Sequence, residues 1–449
     1  MTDASLMEKI ISLCKRRGFI FQGSEIYGGL AGTWDLGHLG GELGNNIKQS
    51  WWKKFVSDRE DMYGVRAAIL MRSEVWEASG HVAGFADPMV ECPKCQQRFR
   101  ADQIETVDGS QYCPEDKSVL GAPRQFNMMF KTQVGAAEDS SATAYLRPET
   151  AQGIFVNFKS TLDAYHPKLP FGMAQIGKAF RNEITPRDFV FRSREFEQME
   201  IEYFIKETDW EKYFEHFRVE MTDWMNSVGI DMDKVSELEV SAEDLAHYSK
   251  RTIDFEFEYP FGKKELFGLA YRGNFDLTNH KLDYFDEESG ERFVPHVIEP
   301  SFGVERALLA LLLSAYTEDE QNGSASAEGS SETKETRVYL KLKPSIAPTI
   351  CAVSPLLKNK PELVEKARGV FTLLKKEFGR VAWDDNGNIG KRYRRQDEIG
   401  TPWCIVIDFD TLGENPDLLD TVTIRDRDTG TQERVKSSEL VSHIKSKLG

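Results

Sequence analysis

Cations, carboxylates and an aromatic ring recur at alternating positions in residues 180–204, which read FRNEITPRDFVFRSREFEQMEIEYF. The pattern predicts two strands joined by a loop that contains Thr185, Pro186 and Asp188. Strand periodicity places Arg181 and Glu183 on one face of the first strand. On the second strand it separates a polar set from an apolar set: Arg192, Arg194, Phe196, Gln198 and Glu200 against Met199, Ile201 and Tyr203. The polar face would suit a nucleotide, because cations bind phosphates, a carboxylate accepts from an amine and a ring stacks on a base. A solvated face of a half-exposed sheet is the alternative for these residues taken alone.

A second polar strand face precedes an apolar helix at about residues 294–313, VPHVIEPSFGVERALLALLL. Alternation puts Glu299, Ser301 and Gly303 on one face of the strand, and Arg306 falls in the first helical turn. A cation there is mildly unfavourable for the helix dipole, so a purely structural role is not the natural choice for this arginine. A Gly-x-Glu-Arg sequence alone is nevertheless most often just a helix start.

The elements that position these residues divide into two parts, since 449 residues exceed one ordinary hydrophobic core. Residues 316–336 are polar and small, which predicts a flexible linker between a domain at 1–336 and a domain at 337–449. The N-terminus predicts an amphipathic helix at Met1–Arg17, closed by Gly18.

The second domain is predicted to be a mixed α/β unit of ordinary domain size. Its elements follow in the order strand to Val353, helix about Pro361–Phe378, strand Val381–Asp385, helix about Lys391–Glu398, strand Trp403–Asp408, hairpin around Arg425–Glu433 and a final helix.

Bulk composition excludes several classes of protein. A formal charge of -16 argues against a sequence-indifferent nucleic-acid coat, and no DNA partner is expected. The chain has no apolar run of bilayer-spanning length, so no membrane association is predicted. The N-terminus lacks the basic flank and apolar core of a secretory signal. Six scattered cysteines suit a reducing compartment, which predicts a soluble, cytoplasmic protein.

FRNE followed by FRSREF resembles motif 2 of the class II aminoacyl-tRNA synthetases, and residues 294–313 resemble motif 3. The resemblance implies that Arg181 and Arg306 are catalytic. Arg181 would hold the α-phosphate of ATP and Arg192 would reach the triphosphate. Glu183 would accept from the adenine amino group, with Phe196 and Arg306 on the two faces of the base. The implied ATP-binding set is Arg181, Asn182, Glu183, Phe191, Arg192, Phe196, Glu265, Leu266, Gly303, Val304, Glu305 and Arg306.

Four further segments resemble glycyl-tRNA synthetases: EIYGGLAGTWDLG at 25–37, WEASGHVAGFADPM at 76–89, YLRPETAQGIFVNF at 145–158 and GKRYRRQDEIGTPWC at 390–404. The likeness is interrupted by the linker and by insertions at about 91–121 and 207–250. In that family carboxylates grip the ammonium of glycine. The implied glycine-binding set is Arg100, Glu149, Phe196, Gln198, Glu200, Glu299, Ser301 and Gly303. A small pocket refuses larger amino acids by overlap, so no editing site is needed.

The resemblance therefore implies an α/β (α+β) class II catalytic domain, with an antiparallel sheet flanked by helices, and a C-terminal anticodon-binding domain. The implied reaction is activation of glycine with ATP to glycyl-adenylate and pyrophosphate, then transfer to the 3′-hydroxyl of the terminal adenosine of tRNA-Gly. ATP and Mg²⁺ are the implied cofactors, with Glu299 and Glu265 as candidate magnesium ligands. A catalytically silent homologue that acts as an RNA-binding or accessory dimer is the alternative.

Residues 35–55 match the place of motif 1, a strand and a long helix at the dimer interface. Leu43, Ile47, Trp51, Trp52 and Phe55 form an apolar helical stripe, which is interpreted as a homodimer surface rather than core. The family has proline in its DxGPLG sequence at the position of His38.

Two clusters suggest further ligands. Cys92, Cys95, Cys113 and Asp116 have the spacing of a zinc knuckle in which aspartate replaces the fourth cysteine; a metal-free knuckle held by packing is the alternative. By resemblance, the basic cluster in the second domain would meet the tRNA backbone, although a solvated helix face is the alternative. Its members are Lys391, Arg392, Arg394 and Arg395.

Overall fold

The computed structural model describes residues 3–135, 143–321 and 335–448. The α-helices of these ranges are α1 (Asp3–Arg17), α2 (His38–Trp52), α3 (Ser73–Ala78), α4 (His81–Gly84), α5 (Ala151–Phe155), α6 (Phe158–Tyr165), α7 (Trp210–Val228), α8 (Phe275–Asn279), α9 (Val304–Ala315), α10 (Pro361–Phe378), α11 (Ile389–Glu398) and α12 (Leu440–Leu448). None of these helices is long and apolar enough to cross a bilayer.

The strands of the same ranges are β1 (Ile20–Gln22), β2 (Trp34–Leu36), β3 (Met62–Gly64), β4 (Leu70–Arg72), β5 (Ala86–Glu91), β6 (Arg98–Arg100), β7 (Thr106–Val107), β8 (Ser110–Gln111), β9 (Arg124–Asn127), β10 (Lys131–Gln133), β11 (Thr143–Leu146), β12 (Phe171–Phe180), β13 (Glu195–Ile205), β14 (Val235–Glu239), β15 (Arg251–Tyr259), β16 (Gly262–Gly273), β17 (Tyr284–Asp286), β18 (Glu291–Phe293), β19 (His296–Gly303), β20 (Tyr316–Gln321), β21 (Glu335–Leu340), β22 (Cys351–Pro355), β23 (Val381–Trp383), β24 (Trp403–Ile407), β25 (Thr421–Asp426) and β26 (Gln432–Lys436).

A seven-stranded sheet forms the centre of the first domain, in the order β14-β15-β16-β19-β13-β12-β3. Neighbouring strands are antiparallel except β12 and β3, which run parallel. In the register of β13 and β19, Glu200 lies opposite Ser301 and Gln198 opposite Gly303. This confirms the predicted antiparallel sheet, and it brings the two polar strand faces side by side.

Alternation along β13 separates the core from the site. Met199, Ile201 and Tyr203 are buried in a cluster that includes apolar residues of α2, α7 and α9. Gln198 and Glu200 point to the opposite face of the sheet, as the period of two requires. The predicted division of this strand is confirmed.

The placement of four charged residues on strands is wrong. β12 ends at Phe180 and β13 begins at Glu195, so Arg181, Glu183, Arg192 and Arg194 all lie in the connecting loop. The loop contains a 3₁₀ turn at Phe189–Phe191 and left-handed backbone at Asp188 and Phe189. An extended period of two therefore does not apply to these side chains.

The apolar stripe of α2 is not a free surface. Four of its five residues, Leu43, Ile47, Trp51 and Phe55, are 0% exposed in the single chain and pack in the domain core, and the fifth, Trp52, is partly buried against that core. The prediction that this stripe forms a dimer surface is wrong, because α7, α9 and the central sheet already cover it. The predicted N-terminal helix is present as α1, and Gly18 follows it with a φ of 78°.

The second domain has a five-stranded sheet in the order β23-β22-β24-β25-β26. β22, β23 and β24 are parallel, whereas β25 and β26 form an antiparallel hairpin. Residues of α10 and α12 pack with the sheet in a separate hydrophobic core. The predicted mixed α/β domain is confirmed.

The ends of the predicted linker are ordered strands. β20 pairs with β21 along its whole length, from Tyr316 opposite Leu340 to Gln321 opposite Glu335. The flexible segment predicted at 316–336 is therefore too long at both ends, because six-residue strands close it. The rest of that prediction, residues 322–334, lies outside the described residues.

Candidate active site

A cavity of about 350 Å³ lies on the polar face of β13, between the loop after β12 and the neighbouring strands β16 and β19. It is lined by most of the residues predicted to bind ATP and glycine: Glu149, Arg181, Glu183, Phe191, Arg192, Phe196, Gln198, Glu200, Glu265, Leu266, Glu299, Ser301, Gly303, Glu305 and Arg306. Two distant stretches of sequence thus meet at one site because β13 and β19 are neighbours.

Three predicted site residues do not line this cavity. The backbone N–H of Asn182 donates to Met128 O at 2.7 Å, and Val304 is fully buried in the core. Arg100 is held by Asp87 at 2.6 Å and by Asp102 at 2.7 Å. Asp87 in turn lies 3.9 Å from Arg192, so Arg100 reaches the cavity wall only through a carboxylate.

One end of the cavity carries cations next to aromatic rings. The Arg181 guanidinium lies 5.3 Å from the Phe196 ring centroid, and its Nε donates to Pro148 O at 3.1 Å. The Arg306 guanidinium lies 4.5 Å from the Phe191 ring centroid. Such an arrangement offers both charge for phosphates and flat surfaces for a base.

Two carboxylates hold the arginines at this end. Arg192 pairs with Glu183 at 2.7 Å, and Arg306 pairs with Glu265 at 2.9 Å. The charge of Arg306 lowers the pKa of Glu265, although burial opposes the shift. Both arginines therefore have fixed positions along the cavity wall.

The other end of the cavity is a cluster of carboxylates. Glu200 is buried, and it accepts hydrogen bonds from the Thr150 hydroxyl and from Ser301 Oγ at 3.0 Å. Glu149 is also buried, with Gln152 Nε2 at 3.1 Å and His81 Nε2 at 3.4 Å. Anionic side chains thus face a small space beside the nucleotide-like end.

Buried charged residues lie behind the cavity, and sequence reasoning missed them. Arg272 is 1% exposed, pairs with Asp276 at 2.7 Å and with Glu299 at 2.8 Å, and stacks on Tyr248 with its Cζ 3.7 Å from the ring centroid. Neither carboxylate oxygen of Glu202, which is 0% exposed, has a hydrogen-bond partner among the described residues. Glu202 continues the alternation of Gln198 and Glu200, which was the one available signal.

Burial and neighbouring charges shift the pKa values of the carboxyls in this cluster. Burial raises the pKa of Glu200, and the nearby Glu149 adds to the shift. Burial likewise raises the pKa values of Glu202 and Glu299 far above the usual range, despite Arg272. Burial acts on Glu149 in the same direction, but His81 and Arg272 outweigh it, and its pKa lies below the usual range. The cluster therefore combines one carboxyl that favours ionisation with three that resist it, and an incoming cation would favour the ionised form of those three.

The insertion predicted at 207–250 also reaches the site. Val240, Asp244, Ala246 and Tyr248 line the cavity. The motifs recognised in the sequence leave out parts of this stretch, so sequence reasoning missed its contribution to the wall.

The structure groups the candidate magnesium ligands differently from the prediction. Glu299 lies with Glu200 and Glu202, and one oxygen from each falls within 4.8 Å of the others. Glu265 lies five residues before Ala270, the partner of Glu299 in the sheet, or roughly 16 Å along the strand. The two predicted ligands thus line one cavity but are not adjacent.

Packing buries one cation of the basic cluster of α11 and pairs another with a carboxylate. Arg392 is 3% exposed and donates to the backbone carbonyls of Pro355, Asp385 and Gly387, so its predicted contact with tRNA is wrong. Arg395 pairs with Asp384 at 2.5 Å. The exposed members are Lys391 and Arg394.

Fold and site together define a class II aminoacyl-tRNA synthetase. The chain matches the family described as "tRNA synthetase class II core domain (G, H, P, S and T)" over residues 130–316. It matches the family described as "Anticodon binding domain" over residues 350–447.

The particular family follows from similarity along the whole chain. A glycine–tRNA ligase of Clostridium acetobutylicum is 46% identical, over 100% of both chains. That of Thermus thermophilus is 45% identical over 99% of both chains, and that of Borreliella afzelii is 47% identical over 98% of this chain and 97% of its own. The chain belongs to the glycine–tRNA ligase family.

Proposed function

We propose that this protein is an ATP-dependent glycine–tRNA ligase. It activates glycine with ATP, releases pyrophosphate and transfers the glycyl group to the 3′-hydroxyl of the terminal adenosine of tRNA-Gly. One observation carries the proposal: a single cavity joins an arginine and phenylalanine end to a buried carboxylate end. The first end suits ATP, the second suits an ammonium, and their junction is where the carboxylate of glycine would meet the α-phosphate.

The cationic end supplies position and charge for the first transfer. An oxygen of the glycine carboxylate attacks the α-phosphorus, and the bond to the β-phosphate bridge breaks as pyrophosphate leaves. No general base is needed, because the carboxylate is already ionised at neutral pH. Arg181 and Arg306 would neutralise charge that develops on the phosphates, with Phe196 and Phe191 beside the base. Bound Mg²⁺ would supply further charge neutralisation on the phosphates.

The carboxylate end supplies selectivity. Glu149 and Glu200 would receive the ammonium of glycine, and Ser301 and Thr150 hold Glu200 in place. A side chain on the substrate would meet the packed wall, so larger amino acids are refused by overlap. Net negative charge in a buried space also favours a cation over a neutral ligand.

The second transfer needs the tRNA. Its 3′-hydroxyl attacks the carbonyl carbon of the adenylate, AMP leaves and the hydroxyl proton is lost. The C-terminal domain would bind the anticodon arm, and Lys391 and Arg394 of α11 are its exposed cations from the predicted set.

We also propose that the protein is a homodimer. Ile26 and Tyr27 are 88% and 87% exposed and Leu30 is 56% exposed, in the segment just before β2 and α2. Large apolar side chains grouped at such exposure are typical of an interface. This surface supports a dimer near motif 1, next to the α2 stripe that was predicted for it. The six free thiols are consistent with a cytoplasmic location.

The test is glycine-dependent exchange of pyrophosphate into ATP, with alanine and serine as competing substrates. Exchange is expected with glycine alone. Glu149→Gln keeps the shape of the side chain and removes its charge, so the KM for glycine should rise at least about 30-fold, the effect of losing one partner of a buried charge pair. Glu362→Gln, an equal change of charge on exposed α10, is the matched control and should leave the KM unchanged. A folded protein that binds ATP and RNA but shows no exchange would instead be a silent RNA-binding homologue.

A further inference from the structure

The insertion at 91–121 contains two turns of the same construction. β5 and β6 flank the first turn, with Glu91 opposite Arg98, and a bridge between Tyr112 and Val119 flanks the second. A cysteine directly follows the paired residue that leads into each turn: Cys92 follows Glu91, and Cys113 follows Tyr112. The insertion is therefore a pair of matching knuckles.

Backbone hydrogen bonds repeat between the turns as well. In the first, the N–H of Cys92 donates to Gln97 O and the N–H of Gln96 to Cys92 O; in the second, the N–H of Cys113 donates to Ser118 O and the N–H of Lys117 to Cys113 O. Gln96 and Lys117 are both left-handed, with φ of 59° and 62°. This correspondence places Asp116 where the first turn has Cys95.

The four side chains converge between the two turns. One ligand atom from each of Cys92, Cys95, Cys113 and Asp116 falls within 4.8 Å of the others. Cys95 Sγ lies 3.7 Å from Cys113 Sγ, and Cys92 Sγ lies 3.5 Å from an Asp116 oxygen. A tetrahedral zinc site with about 2.3 Å Zn–S and 2.0 Å Zn–O bonds has ligand separations of about 3.8 Å for S to S and about 3.5 Å for S to O, close to those observed.

The insertion has little else to hold it together. Its buried apolar cluster consists of Val90, Cys92, Ala101, Cys113 and Leu120, and two of these are the cysteines themselves. Units this small commonly depend on a metal or a disulfide for their fold.

We propose that Cys92, Cys95, Cys113 and Asp116 bind one zinc ion, which holds the insertion against the loop between β12 and β13. Two contacts support the second part of this proposal, that the insertion is held against the loop. Thr185 Oγ1 donates to Arg98 O at 3.4 Å, and Asp87 bridges Arg100 to Arg192 at 2.6 and 3.9 Å. Arg98 and Arg100 belong to β6, which leads directly out of the first knuckle. Arg100 is thus a positioning residue for Arg192, and this part rests on the proposed function.

Metal content of the purified full-length protein tests the site, measured by mass spectrometry after gel filtration with zinc supplied. About one zinc per chain is expected for the wild type and for Asp116→Cys, and less than about a tenth for Cys113→Ser. Asp116→Ala should weaken zinc binding at least about tenfold, since even outer partners of a metal ligand have that effect. The exposed neighbour in the same turn gives the matched control, Glu115→Ala, which should bind zinc like the wild type.

Two further measurements keep the inference falsifiable if a variant misfolds. Cobalt substitution of the wild type should give thiolate-to-metal absorption that strengthens in Asp116→Cys. Native thiol titration should count three more reactive cysteines after chelation. A folded wild type with less than about a tenth of a zinc, or with a Cys95 to Cys113 disulfide, would overturn the proposal. If Asp116→Ala binds zinc as well as the wild type does, Asp116 is not the fourth ligand.

A separate measurement tests whether the zinc site affects Arg192 in the active-site cavity. Protein stripped of zinc, then freed of chelator and assayed with Mg²⁺, should show a KM for ATP in pyrophosphate exchange raised about tenfold, because Arg192 is held less firmly, and an unchanged KM for glycine. Zinc binding without any exchange activity would count against the proposed function and leave the metal site standing. If the protein binds zinc normally but its KM for ATP does not change when the zinc is removed, the proposed effect of zinc on Arg192 is wrong. The zinc site itself would still stand.

Discussion

Single residues at the carboxylate end differ in what they must do, although their chemistry is the same. His81 and Arg272 hold the pKa of Glu149 below its usual range, whereas Glu202 has no hydrogen-bond partner in the described ranges and burial raises its pKa. Strand alternation placed Glu200 and Glu299 on the polar faces of their strands, whereas Glu149 and the glycine-binding role of all three came from the resemblance to glycyl-tRNA synthetases. Arg272 and Asp276 were not predicted, since a buried ion pair leaves no periodic signal.

The KM for glycine should fall as pH rises above the usual glutamate pKa of about 4.3. Burial and neighbouring carboxylates raise the pKa values of Glu200 and Glu299, so these groups hold protons that an incoming ammonium must displace. The expected slope is at most about tenfold per pH unit for one displaced proton. Calorimetry of glycine binding in two buffers of different ionisation enthalpy would measure that release directly. A KM that stays flat or falls in acid would contradict the assignment.

Glu202→Gln should stabilise the protein, and the gain in unfolding free energy should increase as pH rises. Burial raises the pKa of Glu202 in the folded state above its unfolded value of about 4.3, so its contribution to stability is fully present below about pH 4.3 and is lost as pH rises through the folded pKa. Glutamine does not ionise, so the variant escapes this loss. The difference in unfolding free energy should widen by up to about 1.4 kcal/mol per pH unit until the folded pKa is reached.

Urea unfolding of both proteins at several pH values measures this difference. The same substitution on an exposed helix, Glu362→Gln, provides the control and should show no such trend. A constant difference across pH would mean that Glu202 is ionised in the folded protein.

At the scale of elements, regular segments were predictable and irregular ones were not. The α10 bounds, Pro361–Phe378, agree with the prediction because a proline begins the helix and a glycine follows it. The loop carrying Arg181 and Arg192 was misplaced, since its course depends on tertiary contacts such as the pairing of Arg192 with Glu183. Arg392 was misjudged for a related reason: a sequence shows a cation but not the carbonyls that bury it.

Replacing residues 322–334 by an Asn-Gly turn should leave glycine activation unchanged. Gln321 and Glu335 are already opposite each other in the β20–β21 hairpin, so a two-residue turn can join them. A shorter closing loop should add about 1 kcal/mol to the stability of the hairpin, through a lower closure entropy. Thermal unfolding and pyrophosphate exchange measure the two effects. A Gly/Ser replacement of equal length is the control, and loss of exchange in the short variant alone would show that the segment's length is needed for activity.

At the scale of the whole molecule, the two domains are tied together by side chains of the first helices. Asn46 in α2 donates to Ile346 O at 2.9 Å and to Ala347 O at 3.2 Å. Arg16 and Arg17 of α1 meet Glu398 of α11 at 3.1 and 2.6 Å. Nothing in the sequence predicted these contacts, because they join residues about 300 or more positions apart. They join the catalytic part of the chain to the domain proposed to bind the anticodon arm.

Glu398→Gln should weaken the transfer of glycine to tRNA and leave the activation of glycine unchanged. It removes the charge that Arg16 and Arg17 share, far from the cavity, so glycine-dependent pyrophosphate exchange should match the wild type. Binding of tRNA requires both domains at a fixed spacing, and losing two partly exposed ion pairs worth about 0.2–1 kcal/mol each should raise the KM for tRNA several-fold. Charging of tRNA-Gly and exchange, measured on the same preparation, give the comparison, with Glu362→Gln on the outer helix as the control for charge. An equal loss of both activities would place Glu398 in the stability of the fold, whereas no change in either would mean that the spacing of the domains is set by other contacts, such as those of Asn46.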